Sequence, residues 1–558
     1  VLLTAGLVIV GVLAANGREA VAVDDEGAIA EASTEVGTPA PTGRMPVTYD
    51  EAVADGTVAD HSWAGCDEST GRMMLPSIYA APCVPEWDGG DNGGATSLGV
   101  TADTITVAVY VPAANNDLLA ALQGVADDPV LSRQVQAQQV EMLNDLYETY
   151  GRRVELVEFQ ASGAADDETA ARADAREVAD DIEAFASLGA PVLTGAYAEE
   201  LAARGVLCIG CGVSSPDSLY QANAPYLWGP TPTAEQFLLN VGEYLAYRLF
   251  DKPAEFAGDP EMHERTRVFG FVHFEQETPV FEEVGEQWRQ AGREAGLEPA
   301  VVENYTFDLA KMPERAPSII AKMKEADVTT VVFIGDPIMP IYLAQEATKQ
   351  DYFPEWVVTG TALTDTTALG RLYPQDQWAH AFGISNLAVR VPREQGDAYR
   401  IFEWYWGEPP AAATGAQLSW PGAQLLMLGI QMAGPDLTPE TFRDGMFRYP
   451  PSGGGPTAPR ISYGRHGVFE EPDYLGVDDS TIIWWDAEGI GVDEAGNEGT
   501  GVYRYADGGA RYLPGEITQG DPGVFEREDS VALLDEPAPG DRPPDYPAPQ
   551  RGAGLPAG

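Results

Sequence analysis

Short apolar runs alternate with amphipathic stretches along most of this 558-residue chain. Runs at 104–112, 154–159, 185–188 and 206–209 read as strands, and 131–150, 166–184 and 195–204 as helices between them. The pattern then restarts. Helical stretches at 233–250, 281–295, 317–325 and 341–350 separate strand-like runs at 267–274, 300–305, 328–334, 356–359 and 380–384. Strands that alternate with helices demand crossover connections. They predict parallel sheets covered by helices on both faces. Two such units of similar size predict an α/β chain with two Rossmann-like lobes. Ligands of such sheets bind beyond the carboxyl ends of the strands, so two facing lobes predict a cleft closed by hinge motion.

The net charge of −54 excludes nucleic acid as a partner, because phosphate binding needs a basic face. A solvated acidic surface is the simpler reading. Residues 1–15 form one apolar run, too short for a full span and suited to a signal-peptide core. Ala20-Val21-Ala22 offers a cleavage site, and an uncleaved membrane tether is the alternative. Residues 23–60 read as a disordered linker, 61–99 as a Cys-bridged preface and 516–558 as a disordered Pro-rich tail.

Four cysteines fit a secreted or otherwise extracytoplasmic location and allow three pairings. Cys66–Cys83 and Cys208–Cys211 are favoured because both close local loops. The histidines show no ligand spacing with the cysteines, so no metal is expected. There is no Gly-x-Ser-x-Gly elbow, HExxH or P-loop, so neither catalysis nor a cofactor is expected.

Residues 205–219 read as a short strand, a glycine-containing loop and a helix start at Ser214 or Ser215, with Pro216 just inside. Such a turn aims backbone N–H groups at one spot, suited to a carboxylate. It resembles the ligand loop of type I periplasmic solute-binding proteins, the leucine/isoleucine/valine-binding kind that feeds ABC importers. The order of elements resembles that family from about residue 100 to 515. The stretches 400–406, 417–432 and 438–446 resemble its late helices, and 482–489 its final strand.

The resemblance implies three crossings between lobes. It assigns 100–236 and 389–455 to the first lobe, and 237–388 and 456–515 to the second. It implies a small polar solute of amino-acid, amide or carboxylate type, and the membrane subunits of an importer as partners. A ligand-sensing or extracellular interaction protein on the same fold, without transport, is the alternative.

Strand ends nominate Asn115, Gln160, Thr194, Val213, Ser214 and Ser215 from the first lobe, and Glu275, Thr278, Asp336 and Thr361 from the second. Helix capping is the structural reading of Ser214 or Ser215. The amino-acid binders carry Tyr-Gly where this chain has Thr278-Pro279, and an acid near Gly360 where it has Thr361, with Asp365 next. Asp336 or Glu275 is positioned to replace that acid. For aromatics such as Trp228, Tyr373 and Trp378, core packing is the simpler role.

Overall fold

The computed structural model describes residues 43–113, 127–212, 215–275 and 298–549. Its elements run in chain order. The preface holds α1 (Tyr49–Asp55), β1 (Cys66–Asp67) and β2 (Arg72–Met73). Next come β3 (Thr104–Val111), α2 (Pro129–Leu146), β4 (Arg153–Gln160), α3 (Glu168–Asp180), β5 (Ala186–Leu188), α4 (Ala196–Ala203), β6 (Leu207–Ile209), α5 (Asp217–Ala222) and β7 (Leu227–Trp228).

The second unit opens with α6 (Ala234–Tyr244), β8 (Phe269–Phe274), β9 (Val301–Tyr305), α7 (Met312–Glu325), β10 (Thr330–Ile334), α8 (Met339–Lys349) and β11 (Glu355–Val358). Short α9 (Thr367–Gly370) and α10 (Gln375–Trp378) lead to β12 (Ala381–Ser385). Then follow α11 (Asp397–Trp406), α12 (Ala413–Ala433) and α13 (Pro439–Met446), and lastly β13 (Ser480–Val492), β14 (Glu498–Tyr505) and β15 (Arg511–Tyr512). The expected helix at 281–295 lies outside the described residues.

Two sheets form. The first has the order β4-β3-β5-β6-β7 and is parallel throughout. The second runs β9-β8-β10-β11-β12 in parallel, then adds β13, β14 and β15 antiparallel. The two parallel parts therefore share one strand order. In each the order reverses beside the first strand, which opens a crevice there. β5, β6, β11 and β12 are buried along their whole length, as a doubly covered parallel sheet requires.

Three crossovers join the lobes. Trp228 belongs to the first core, while Ala234 and Phe237 belong to the second. Ile384 lies in the second core and Ala398 back in the first. Leu475 lies in the first core and Ile482 in the second. Arg511 fastens two of these passages. Its Nε donates to Asp479 Oδ1 at 2.9 Å and its Nη1 to Leu387 O at 2.8 Å. Its Nη2 donates to Asn386 O at 2.9 Å. The Arg511 and Asp479 side chains are only 1% and 3% exposed.

Three domain expectations are corrected. Residues 43–60 are not a disordered linker. Thr48 and Glu51 cap α1 reciprocally, and Arg44 pairs with Asp436. The stretch 456–476 packs with the first lobe, not the second, because Tyr463 and Tyr474 pack edge-on against Trp228 and Leu475 bridges to Gly229. Residues 516–549 are not a disordered tail: Ile517 and Val524 are buried in the second core. Both favoured disulfides are present, Cys66–Cys83 and Cys208–Cys211. Among the described residues no helix is long and apolar enough to cross a membrane. Trp228, Tyr373 and Trp378 are fully buried core residues.

Breaking a buried ion pair from one side leaves an uncompensated charge. Arg511→Met is expected to cost about 3–5 kcal/mol in a chemical denaturation experiment. An unchanged midpoint would show that the crossovers hold without it.

Candidate functional site

The loops that leave β3, β4 and β5 surround a recess lined by Tyr110, Pro112, Ala113, Ala165, Ala190 and Pro191. It lies where the first sheet's strand order reverses. Its wall is mostly small and apolar. The exception is the Tyr110 phenol, whose pKa burial raises above its ordinary value. Val192 stands at its rim, 45% exposed. The next residue, Leu193, packs against the core of the second lobe. The loop after β5 therefore spans the cleft, and the two lobes touch there.

The sequence-nominated residues divide by role. Val213, Ser214, Asn115 and Thr278 lie outside the described residues. Ser215 is buried, with its amide donating to Gly212 O at 2.9 Å and its carbonyl accepting from Ala234 N at 3.1 Å. The following helix, α5, starts only at Asp217, and Pro216 takes the N-cap position with no side-chain cap. The expected helix start at Ser214 or Ser215 is thus corrected: the residue before a proline is pushed toward extended backbone. Thr194 Oγ1 accepts from Ala196 N at 3.1 Å, inside the turn that starts α4. Gln160 Nε2 donates to Val111 O and Pro112 O at 3.1 and 3.0 Å, tying the end of β4 to that of β3.

In the second lobe, Asp336 Oδ1 accepts from the amides of Ile338 and Met339 at 2.7 and 3.0 Å, which caps the start of α8. Its Oδ2 accepts from the Tyr305 hydroxyl at 2.5 Å. Burial raises its pKa against these bonds. Thr361 Oγ1 accepts from Gly335 N at 3.0 Å and so joins the loops after β10 and β11. Glu275 leaves β8 with its amide donating to Tyr305 O at 2.8 Å.

Asp365 is the residue that sequence reasoning underweighted. Ser385 Oγ donates to its Oδ2 at 2.5 Å, while Oδ1 is buried with no hydrogen-bond partner among the described residues. Burial pushes this carboxyl up to about 7. Gly360 makes room for it: a Cβ there would lie 2.9 Å from Asp365 Oδ2, on backbone already at φ +74°. Next to it, Ala362 and Leu363 both have positive φ, 47° and 66°, and Leu363 is 44% exposed. Two successive non-glycine residues in that region are costly, and such strain collects where a loop presents a side chain for use. An exposed leucine among threonines, at Leu363, was the available signal.

The sequence pattern of the periplasmic binding protein family matches residues 118–476. The chain belongs to that family. Proteins of this family bind small solutes outside the cytoplasm and do not transform them, so solute binding is this chain's role. No curated protein matches the chain in sequence. Among solved structures, it is similar to a fatty acid ABC transporter substrate-binding protein of Thermomonospora curvata. The two share 15% identity and a TM-score of 0.50, over 79% of this chain and 100% of that one. An Aeropyrum pernix ABC transporter substrate-binding protein shares 14% identity and a TM-score of 0.49, over 76% and 100%. The Streptococcus pneumoniae branched-chain amino acid binding protein, solved with isoleucine, shares 13% and 0.48, over 74% and 100%. At these identities the likeness concerns the fold.

Asp365 gives this lobe a signature in pH. An unfolded aspartate titrates near about 3.9, the folded one at about 7. Between those values the folded state holds the extra proton, so stability falls as pH rises. The slope is at most about 1.4 kcal/mol per pH unit, and it vanishes above about pH 7. Asp365→Asn is expected to remove this slope. Denaturation midpoints of both proteins from pH 4 to 8 measure it, and a gap constant with pH would contradict it.

Proposed function

We propose that this protein captures a small solute with one polar end and an apolar body, and presents it to the membrane subunits of an ABC importer. The observation that carries the reading is the apolar recess at the strand-order reversal, lined by a loop whose next residue, Leu193, reaches the core of the second lobe. Ligands of doubly wound sheets bind at that point, and closure selects the form a transporter recognises. The turn carrying Val213, Ser214 and Ser215 supplies the polar end. Asn115, Glu275 and Thr278 are the further contacts that the sequence nominates. Thr194, Gln160, Asp336 and Thr361 act by shaping the loops, since their side chains are engaged within their own lobes. Residues 1–22 serve as leader or tether.

The test is thermal denaturation of the full chain against amino acids, amides, short carboxylates, 4-hydroxybenzoate and a fatty acid. The first and last two classes are bound by proteins of this fold. A true ligand at about a hundred times its Kd stabilises by about 2.7 kcal/mol. Ser215→Ala is expected to weaken that ligand and leave the unliganded midpoint unchanged. Equal affinity in the variant would remove the turn from the site. Silence across the panel would favour the interaction-protein reading.

A further inference from the structure

The segment after β15 makes contacts that hinge-linked lobes alone do not need. Its first half belongs to the second lobe. Ile517 and Val524 are buried in that core, and Tyr244 donates its hydroxyl to Pro522 O at 3.1 Å. Val531 and Tyr505 exchange backbone hydrogen bonds at 2.7 and 3.0 Å. Leu534 N donates to Arg390 O at 2.9 Å, on the second crossover.

Its second half belongs to the first lobe. Asp541 is 8% exposed, and its Oδ2 accepts from both Thr457 N and Thr457 Oγ1 at 2.8 Å. Ala538 N donates to Thr457 Oγ1 at 3.1 Å. Farther on, Trp404 Nε1 donates to Tyr546 O at 2.9 Å, and the Tyr546 hydroxyl to Asp67 Oδ2 at 2.7 Å. The seat is shaped for the strand that fills it: a Cβ on Gly455 would fall 1.9 Å from Asp541 Oδ1.

We propose that residues 516–549 are a strap, a fourth passage between the lobes that restricts how far they swing. Only the stretch from Leu534 to Ala538 bridges the two sets of anchors. A fully extended chain of that length reaches about 14 Å, so the anchors cannot separate further while both hold. A restricted range of orientations is preorganisation: less freedom remains to be lost when a solute is enclosed. Regulation of this kind rests on the two-lobed binding reading, but it does not depend on which solute is bound.

The test severs the strap after folding. A protease recognition sequence is inserted between Asp535 and Glu536, both exposed. Spin labels are placed at Glu141→Cys on α2 and Gln345→Cys on α8, both exposed positions. The four native cysteines are in disulfides and do not react. Electron–electron resonance then measures the interlobe distance without solute, before and after the cut. The strap predicts a distribution that broadens on cutting. The same distribution in both states overturns the proposal, even if solute binding is intact. If cutting unfolds the protein, the uncut double variant Asp541→Ala/Tyr546→Phe, labelled at the same sites, is measured instead. It is expected to broaden the distribution, and an unchanged width in that folded variant overturns the proposal too.

Discussion

The buried pair of Arg511 and Asp479 holds the passages on which both lobes hang. A hinge needs strands that bend along a shared line, and those strands carry backbone groups that no sheet satisfies. Arg511 meets that need at once, with one guanidinium serving Asp479, Asn386 and Leu387. Its planar fork suits several acceptors at once. In a chain with 33 basic residues against 87 acidic ones, placing a cation in the interior is telling. The same device recurs at Arg267, bidentate to Glu355 with both side chains fully buried, which ties the start of β11 to the segment that enters β8. Many of the other acids face water, where mutual repulsion is screened.

Given that hinge, the position of the site follows from topology. Each sheet starts with a central strand, adds the second on one side and the rest on the other. Helices after the first and third strands must then leave in opposite directions, so a crevice opens between their loops. The first lobe fills this place with small apolar side chains and one phenol. The second lobe brings strained backbone at Ala362 and Leu363, a capped Asp336 and the half-paired Asp365. The two sides are unlike, which fits a solute with unlike ends.

Much of this was legible in the sequence. The alternation of apolar runs located nearly all the parallel strands, because a doubly covered strand must be apolar throughout. Helix 312–325 begins before its expected start at Pro317: Pro313 takes the first turn, where its missing N–H costs no bond, and Pro317 lies inside the helix. The hairpin of β13 and β14 was half seen: β13 was expected only from 482 to 489 and β14 was not expected, since their ends are solvent-facing and rich in Gly and Asp. The last segment escaped notice for a related reason. Its anchors, Ile517, Val524, Val531, Asp541 and Tyr546, are isolated residues in a Pro-, Gly- and Asp-rich stretch, and many of its bonds are made by backbone. Among the site residues, position was readable and role was not. Thr194, Gln160, Asp336 and Thr361 do follow strands, but Thr194 and Asp336 close turns on amides two residues on, and Gln160 and Thr361 tie their loops to partners 49 and 26 positions away.

The central claim is that two lobes close on a solute about this hinge. Small-angle X-ray scattering of the full chain, titrated with a solute that raises its thermal midpoint, tests it directly. The account predicts a radius of gyration that falls as the solute saturates, with a midpoint matching the binding curve. A solute that binds tightly while the scattering curve stays unchanged would contradict it.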